Sequence, residues 1–316
     1  MFLLTDYGEN DEFAGLTRAV LHRQAPGATV VDLTHGVPPF DVRAGALILA
    51  RSVGFLGPGV VVAVVDPGVG SGRRAVAVAV RGADGSSADG PGLLVGPDNG
   101  LLGWAIDALG GAVAAVALPA VRGARRTGAP AALAGPAGRT FDGRDLFAPV
   151  AARLWSGATL NDVGMPVDPA GLVRLAPPIL RVSPGSVEAE VLSVDRFGNV
   201  QLAARPADAA RAGLGGGDGG DGGAGGDEAV EIRVHGHGPA AAAAAATSAA
   251  TAGSMRRGPM IGSFSDLEGA GEGTVGLMVD ANGRLALVCH RRSAATVLGV
   301  RSGDMVTLHR VPSQAP

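Results

Sequence analysis

The sequence predicts an α/β N-terminal domain with a central, mostly parallel sheet, followed by a C-terminal all-β, barrel-like domain. Three observations predict it. Residues 1–65 read strand, helix, strand, helix, strand, the alternation of a layered α/β domain. Residues 60–65 are six consecutive apolar, mostly β-branched residues, short enough for a strand buried on both faces. Beyond residue 185 the texture changes to short strands separated by turns. The domains are expected at 1–165 and 186–316, with a Pro-rich linker at 166–185.

The first strand is expected at 2–4, ending in Thr5-Asp6-Tyr7-Gly8. Asn10 or Asp11 can cap a helix whose Phe13, Leu16 and Val20 share an apolar face, and Pro26-Gly27 ends it. A second strand at 29–33 ends in Thr34-His35; the loop Pro38-Pro39-Phe40-Asp41 leads to a small-residue helix at 44–53. The third strand, 60–65, ends in Asp66. Three strands in succession thus deliver a polar residue at their carboxyl ends, the edge where open α/β sheets bind ligands. Further strands are expected at 75–80, 93–95 and 113–118, a turn at 97–100 and a helix at 101–109. Residues 139–145 carry four charges in seven residues ahead of an apolar helix at 146–155. In the second domain, strands are expected at 187–194, 229–234, 274–279, 284–288 and 305–308. Two low-complexity stretches, about 213–227 and 239–258, read as flexible surface insertions.

Composition excludes several classes. The 316 residues suffice for two domains, and the net charge of −3 gives no reason to expect a nucleic-acid partner. The chain has no Lys, so its basic residues are all Arg. No apolar run reaches membrane-spanning length and no cleavable signal is read at Met1, so a cytoplasmic protein without a membrane partner is expected. The single Cys289 excludes an intramolecular disulfide and a multi-Cys metal site. His235 and His237 lie in a low-complexity region and read as solvated. Neither metal nor cofactor is expected.

The loop after the third strand carries the chemistry. It reads V-V-D-P-G-V-G-S-G-R-R at 64–74, with Asp66 and Arg73 seven residues apart. Its glycine spacing is neither G-x-G-x-x-G nor a P-loop, so a nucleoside triphosphate is not the natural ligand. By itself it also reads as a tight turn whose Asp caps backbone amides.

Seven segments stand together in order: T-D-Y-G-x-x-D at 5–11, D-L-T-H at 32–35, P-P-F-D at 38–41, V-V-D-P-G-V-G at 64–70 with Arg73, P-D-N-G at 97–100, R-T-F-D-G-R-D-L-F-A-P at 139–149 and D-R-F-G-N at 195–199. In this order they resemble the S-adenosylmethionine hydroxide adenosyltransferases, or SAM hydrolases, relatives of the fluorinase and chlorinase. The resemblance implies hydrolysis of S-adenosyl-L-methionine to adenosine and methionine, without a cofactor, in a homotrimer with sites between subunits. Asp66 and Arg73 match two members of the family's Asp-Arg-His set, and Asp142 stands at the position of the histidine. Asp6 matches the acid that holds the ribose hydroxyls. Asp195, Phe197 and Asn199 match the methionine-binding pattern. Phe264 resembles the ring packed on adenine, and the backbone at Cys289–Arg291 the strand that reads the adenine edge. Phe40, Asn99 and Gly143 complete the candidate substrate contacts, with Cys289 and Arg291.

The chemistry suits the residues. A sulfonium is already a good leaving group, so the protein has to hold a water in line with the C5′–S bond and help remove a proton. A carboxylate at the nucleophile position favours water over a halide ion, the reagent of a SAM-dependent halogenase. A non-catalytic S-adenosylmethionine or adenosine sensor is the reading from another class. Asp142 leaves two arrangements open: it faces the water with Asp66, or it caps the following helix.

Overall fold

The computed structural model describes residues 1–81, 90–119, 140–214, 229–235 and 255–311. The chain divides into two compact units, Met1–Ala176 and Pro177–Pro316.

In the first unit, strands β1 (Phe2–Thr5), β2 (Val31–Thr34), β3 (Val60–Val64), β4 (Ala75–Val80), β5 (Leu93–Pro97), β6 (Ala112–Ala117) and β7 (Met165–Val167) form one sheet in the order β2-β1-β3-β5-β4-β6-β7. The half that carries the polar strand ends, β2-β1-β3-β5, is parallel; β4, β6 and β7 are added antiparallel. Helices α1 (Phe13–Gln24), α2 (Val42–Ser52), α3 (Gly103–Ala108) and α4 (Ala148–Trp155) cover both faces.

All five residues of β3 are buried, and its period of two sorts them. Val60, Val62 and Val64 pack with Leu21 of α1 and Leu154 of α4. Val61 and Ala63 pack with Leu49 of α2 and Ile106 of α3. Each buried valine contributes roughly 1.5–3 kcal/mol, so the four valines of the strand make β3 the unit's anchor. Val65 belongs to the α2–α3 face. One more step of the alternation aims Asp66 to the α1–α4 face, where Asp142 enters.

Several expectations are corrected. Neither Asn10 nor Asp11 caps α1; Glu12 occupies that position without a side-chain hydrogen bond. Its buried face is Ala14, Thr17 and Leu21, while Phe13 and Leu16 are 39% and 38% exposed. Small residues let the helix pack closely on the sheet, and Phe13 instead meets the rings of Tyr7 and Phe141, with centroids 5.9 and 5.1 Å away. The expected linker contains β7, paired with β6, and strand β8 (Leu180–Ser183), paired with β9 (Ser186–Val194). Proline did not exclude strand there because both are short edge strands.

The second unit is antiparallel. Strands β9, β10 (Val200–Leu202), β11 (Ala229–His235), β12 (Met255–Pro259), β13 (Val275–Val279), β14 (Leu285–Cys289) and β15 (Met305–Arg310) run in the order β12-β11-β15-β9-β10-β14-β13, with β8 off β9. A bridge between Met260 and Leu277 joins the two ends of that order and nearly closes the barrel. β12 lies in what reads as a low-complexity insertion; its pairing with β11 overrides composition. The expected insertion at 213–227 otherwise lies outside the described residues, apart from Gly213, which caps the helix Pro206–Ala212 at φ 69°, and Leu214.

Candidate active site

The carboxyl ends of β1 and β3, the loop before α2 and the turn before α4 enclose a cavity of about 390 Å³ in the first unit, lined by Asp6, Tyr7, Phe40, Asp66, Phe141 and Asp142 among others. Such a volume is within the ordinary range for small-molecule sites.

Arg73 is not itself among the lining residues, but it grips two of the acids that are. Its Nε donates to Asp66 Oδ1 at 2.9 Å, and Nη2 donates both to Asp66 Oδ2 and, at 2.6 Å, to Asp142 Oδ2. The side chains of Asp66, Arg73 and Asp142 are 6%, 13% and 20% exposed. Two-point contact between guanidinium and carboxylate fixes the orientation of both groups. Burial works against the Arg73 charge, but the hydrogen bonds and charges of the two acids outweigh it and raise its pKa. Its carbon Cζ lies 5.3 Å from the centroid of the buried Phe147 ring.

Asp142 makes no capping hydrogen bond. The residues after it, Gly143–Phe147, form a single π-helical turn before α4, with Ala148 N–H donating to Gly143 O. The turn directs Asp142 to Arg73 instead of back along the helix. Gly143 is required by close approach: a Cβ there would collide with the Tyr7 hydroxyl.

Asp6 Oδ2 accepts from the backbone N–H of Phe40 at 3.0 Å. Phe40 sits at φ 66° and is 71% exposed, a left-handed conformation that a bulky residue holds only under constraint. Burial, then the charge of Asp66, outweighs that hydrogen bond and raises the Asp6 pKa. Sequence alone gives Tyr7 no chemical signal, unlike its neighbour Asp6. Burial first, then the charges of Asp6, Asp66 and Asp142, raise its phenol pKa and keep it a protonated donor. Behind β1, the buried His35 fixes this segment: its Nδ1 is 2.8 Å from Thr5 Oγ1, and its carbonyl accepts from Gly8 N–H at 2.8 Å.

The remaining candidates fall elsewhere. Asn99 does not line the cavity; its Nδ2 donates to Val65 O at 2.8 Å and its Oδ1 accepts from Leu101 N–H at 3.2 Å. In the second unit, Asp195 Oδ1 accepts from the N–H groups of Phe197 and Asn199, both at 2.9 Å, and Oδ2 accepts from Asn199 Nδ2 at 2.8 Å, closing one turn. Phe197 is exposed in that turn, and Phe264 is exposed in the 3₁₀ turn Phe264–Leu267. Cys289 ends β14 buried, which raises its thiol pKa, and Arg291 follows at φ 53°.

An α/β unit that gathers acids and a guanidinium at the carboxyl edge of a parallel sheet, in a chain with a separate antiparallel barrel, has the organisation of an enzyme acting on a small molecule. The sequence profile of the SAM hydroxide adenosyltransferase N-terminal domain matches residues 1–164. The chain is 52% identical over 205 residues to the (R)-S-adenosyl-L-methionine hydrolase of Salinispora arenicola, covering 64% of this chain and 71% of that one. The fluorinase of an Actinoplanes species is more distant, 28% identical over 229 residues, covering 67% and 74%. A solved structure of an uncharacterized conserved protein from Thermotoga maritima superposes with a TM-score of 0.72 at 27% identity, covering 98% of this chain and 99% of that one. The chain belongs to the SAM hydroxide adenosyltransferase family.

Proposed function

We propose that the chain hydrolyses S-adenosyl-L-methionine, with the R configuration at sulfur by analogy with the name of its Salinispora relative. Water oxygen forms a bond to C5′, the C5′–S bond breaks with its electron pair going to sulfur, and one proton leaves the water. The products are adenosine, methionine and a proton.

The observation that carries this reading is the contact of Arg73 with Asp66 and Asp142, two acids that line the cavity. Three carboxylates, Asp6, Asp66 and Asp142, line the cavity and one guanidinium, Arg73, bonds two of them, so the cavity favours a sulfonium cation and opposes a halide anion. Arg73 holds the two acids side by side and offsets their repulsion. Its Nη1 makes no hydrogen bond among the described residues and is left for the water. Asp66 or Asp142 takes the proton, a role that contributes typically 10²–10⁴-fold. Asp6 keeps one carboxylate oxygen for the ribose hydroxyls. Asp195, Phe197, Asn199, Phe264, Cys289 and Arg291 are proposed to bind the methionine and adenine parts, in a homotrimer whose sites lie between subunits; the exposed rings of Phe40, Phe197 and Phe264 support such an assembly. No metal takes part in this reading.

Incubation with each sulfur epimer in ¹⁸O-water, with and without chloride or fluoride, tests it. Adenosine labelled at O5′ is expected from the R epimer, in a chelator as in its absence. A 5′-halogenated nucleoside would move the chain to the halogenases, and substrate bound but returned intact would make it a sensor.

A further inference from the structure

The loop that carries Asp66 and Arg73 has to cross a strand. β5 lies between β3 and β4, parallel to the first and antiparallel to the second. Residues 65–74 therefore arch over the carboxyl end of β5, with Asp66 at one foot and Arg73 at the other. Neighbouring strands are about 4.8 Å apart, so the feet stand roughly two such spacings apart and the side chains must reach across.

The turn that continues β5 bonds both feet. Asn99 Nδ2 donates to the carbonyl of Val65, the residue before Asp66, at 2.8 Å. The Asp98 N–H donates to the carbonyl of Arg74, the residue after Arg73, at 2.9 Å. Asp98 Oδ2 accepts from Arg74 Nε at 2.8 Å, and its Oδ1 accepts from Val173 N–H at 2.8 Å. Arg74 Nη2 reaches on to Gly171 O at 2.6 Å. Asp98 is 8% exposed, and neither Asp98 nor Asn99 lines the cavity.

We propose that Asp98 and Asn99 are positioning residues for the reaction: by bonding the residues next to Asp66 and Arg73 they set the span of the arch, and with it the two-point contact between acid and guanidinium. The proposal rests on the reading of Asp66 and Arg73 as the pair that acts on the water. It explains why an amide and a carboxylate stand at a sheet edge beside a site they do not enter. A displacement of about 1 Å in such a constellation can cost on the order of 10²-fold in rate, so a clamp outside the cavity controls turnover without touching substrate.

The test is Asn99→Asp, which keeps the size of the side chain and replaces the donor facing Val65 O by an acceptor. It is expected to lower kcat about tenfold or more while KM stays within about threefold. In an Arg73→Ala background the same substitution is expected to cost no further rate, because the contact it maintains is gone. Arg74→Gln, at a side chain 42% exposed, is the second variant should Asn99→Asp fail to fold, and is expected to lower kcat in the same pattern. Full kcat in Asn99→Asp while Arg73→Ala lowers kcat overturns the proposal. So does a rise in KM with kcat kept, or an equal loss in both backgrounds. Full kcat in Arg73→Ala itself would instead overturn the reading of the site.

Discussion

Asp142, which the resemblance sets at the position of the family's histidine, bonds a guanidinium and not the start of the following helix. It bonds Arg73 at 2.6 Å and caps nothing. Asp142→Asn is therefore expected to lower kcat tenfold or more, whereas a lost cap would have cost only about 0.5–2 kcal/mol of stability and left kcat alone. Steady-state kinetics with thermal melting separates the two. Asp6 yields a prediction with a pH sign. Burial raises its pKa, so the folded chain favours the protonated form, and ionising it costs stability as pH rises through its folded value. Asp6→Asn is expected to melt higher than the parent at pH 7, with no gain near pH 3, below the ordinary aspartate value of about 3.9, and to lose affinity for substrate. Melting curves at both pH values check the sign; a lower Tm at pH 7 would contradict it. These side-chain facts were only partly legible beforehand. Asp6, Asp66 and Arg73 follow from polar residues placed at strand ends. Tyr7 does not, because a tyrosine beside a charged residue carries no signal until packing brings its hydroxyl against Gly143.

At the scale of elements, the π turn Gly143–Phe147 is the device that points Asp142 at Arg73. Its tolerance is small, since a Cβ at Gly143 meets the Tyr7 hydroxyl. Gly143→Ala is expected to cost about 1–3 kcal/mol, the usual size of an overpacking penalty, and less in a Tyr7→Phe background where the colliding oxygen is gone. Urea midpoints of the two single variants and the double variant measure this. Equal costs in both backgrounds would place the strain elsewhere. Helix α1 teaches a related lesson. Its apolar periodicity suggested Phe13 and Leu16 as the buried face, yet Ala14 and Thr17 are buried, because close packing on a sheet rewards small residues over greasy ones.

At the scale of the molecule, the proposed trimer makes activity depend on assembly. Light scattering is expected to give three times the monomer mass for the active species; an active monomer would remove the intersubunit site from the reading. Deleting residues 215–226, read from composition as a solvated insertion, is expected to leave mass and kcat unchanged. Gel filtration with an activity assay checks both. Among the described residues no helix is long and apolar enough to cross a membrane.

The amino-acid order by itself determined the class of each unit, the identity of β3 and the place of Asp66 at its end, because periodicity and β-branching are local properties that burial only amplifies. It also determined that Asp66 and Arg73 belong to one loop. Tertiary structure decided the rest: the contact of Arg73 with Asp142, sixty-nine residues further on, the assignment of Asn99 to a strand end instead of the cavity, and the inclusion of residues 165–167 and 255–259 in sheets. Each depends on which strand lies beside which. Strand order is a long-range choice, settled by how two helical layers cover one sheet and how a barrel closes, and no local pattern encodes it.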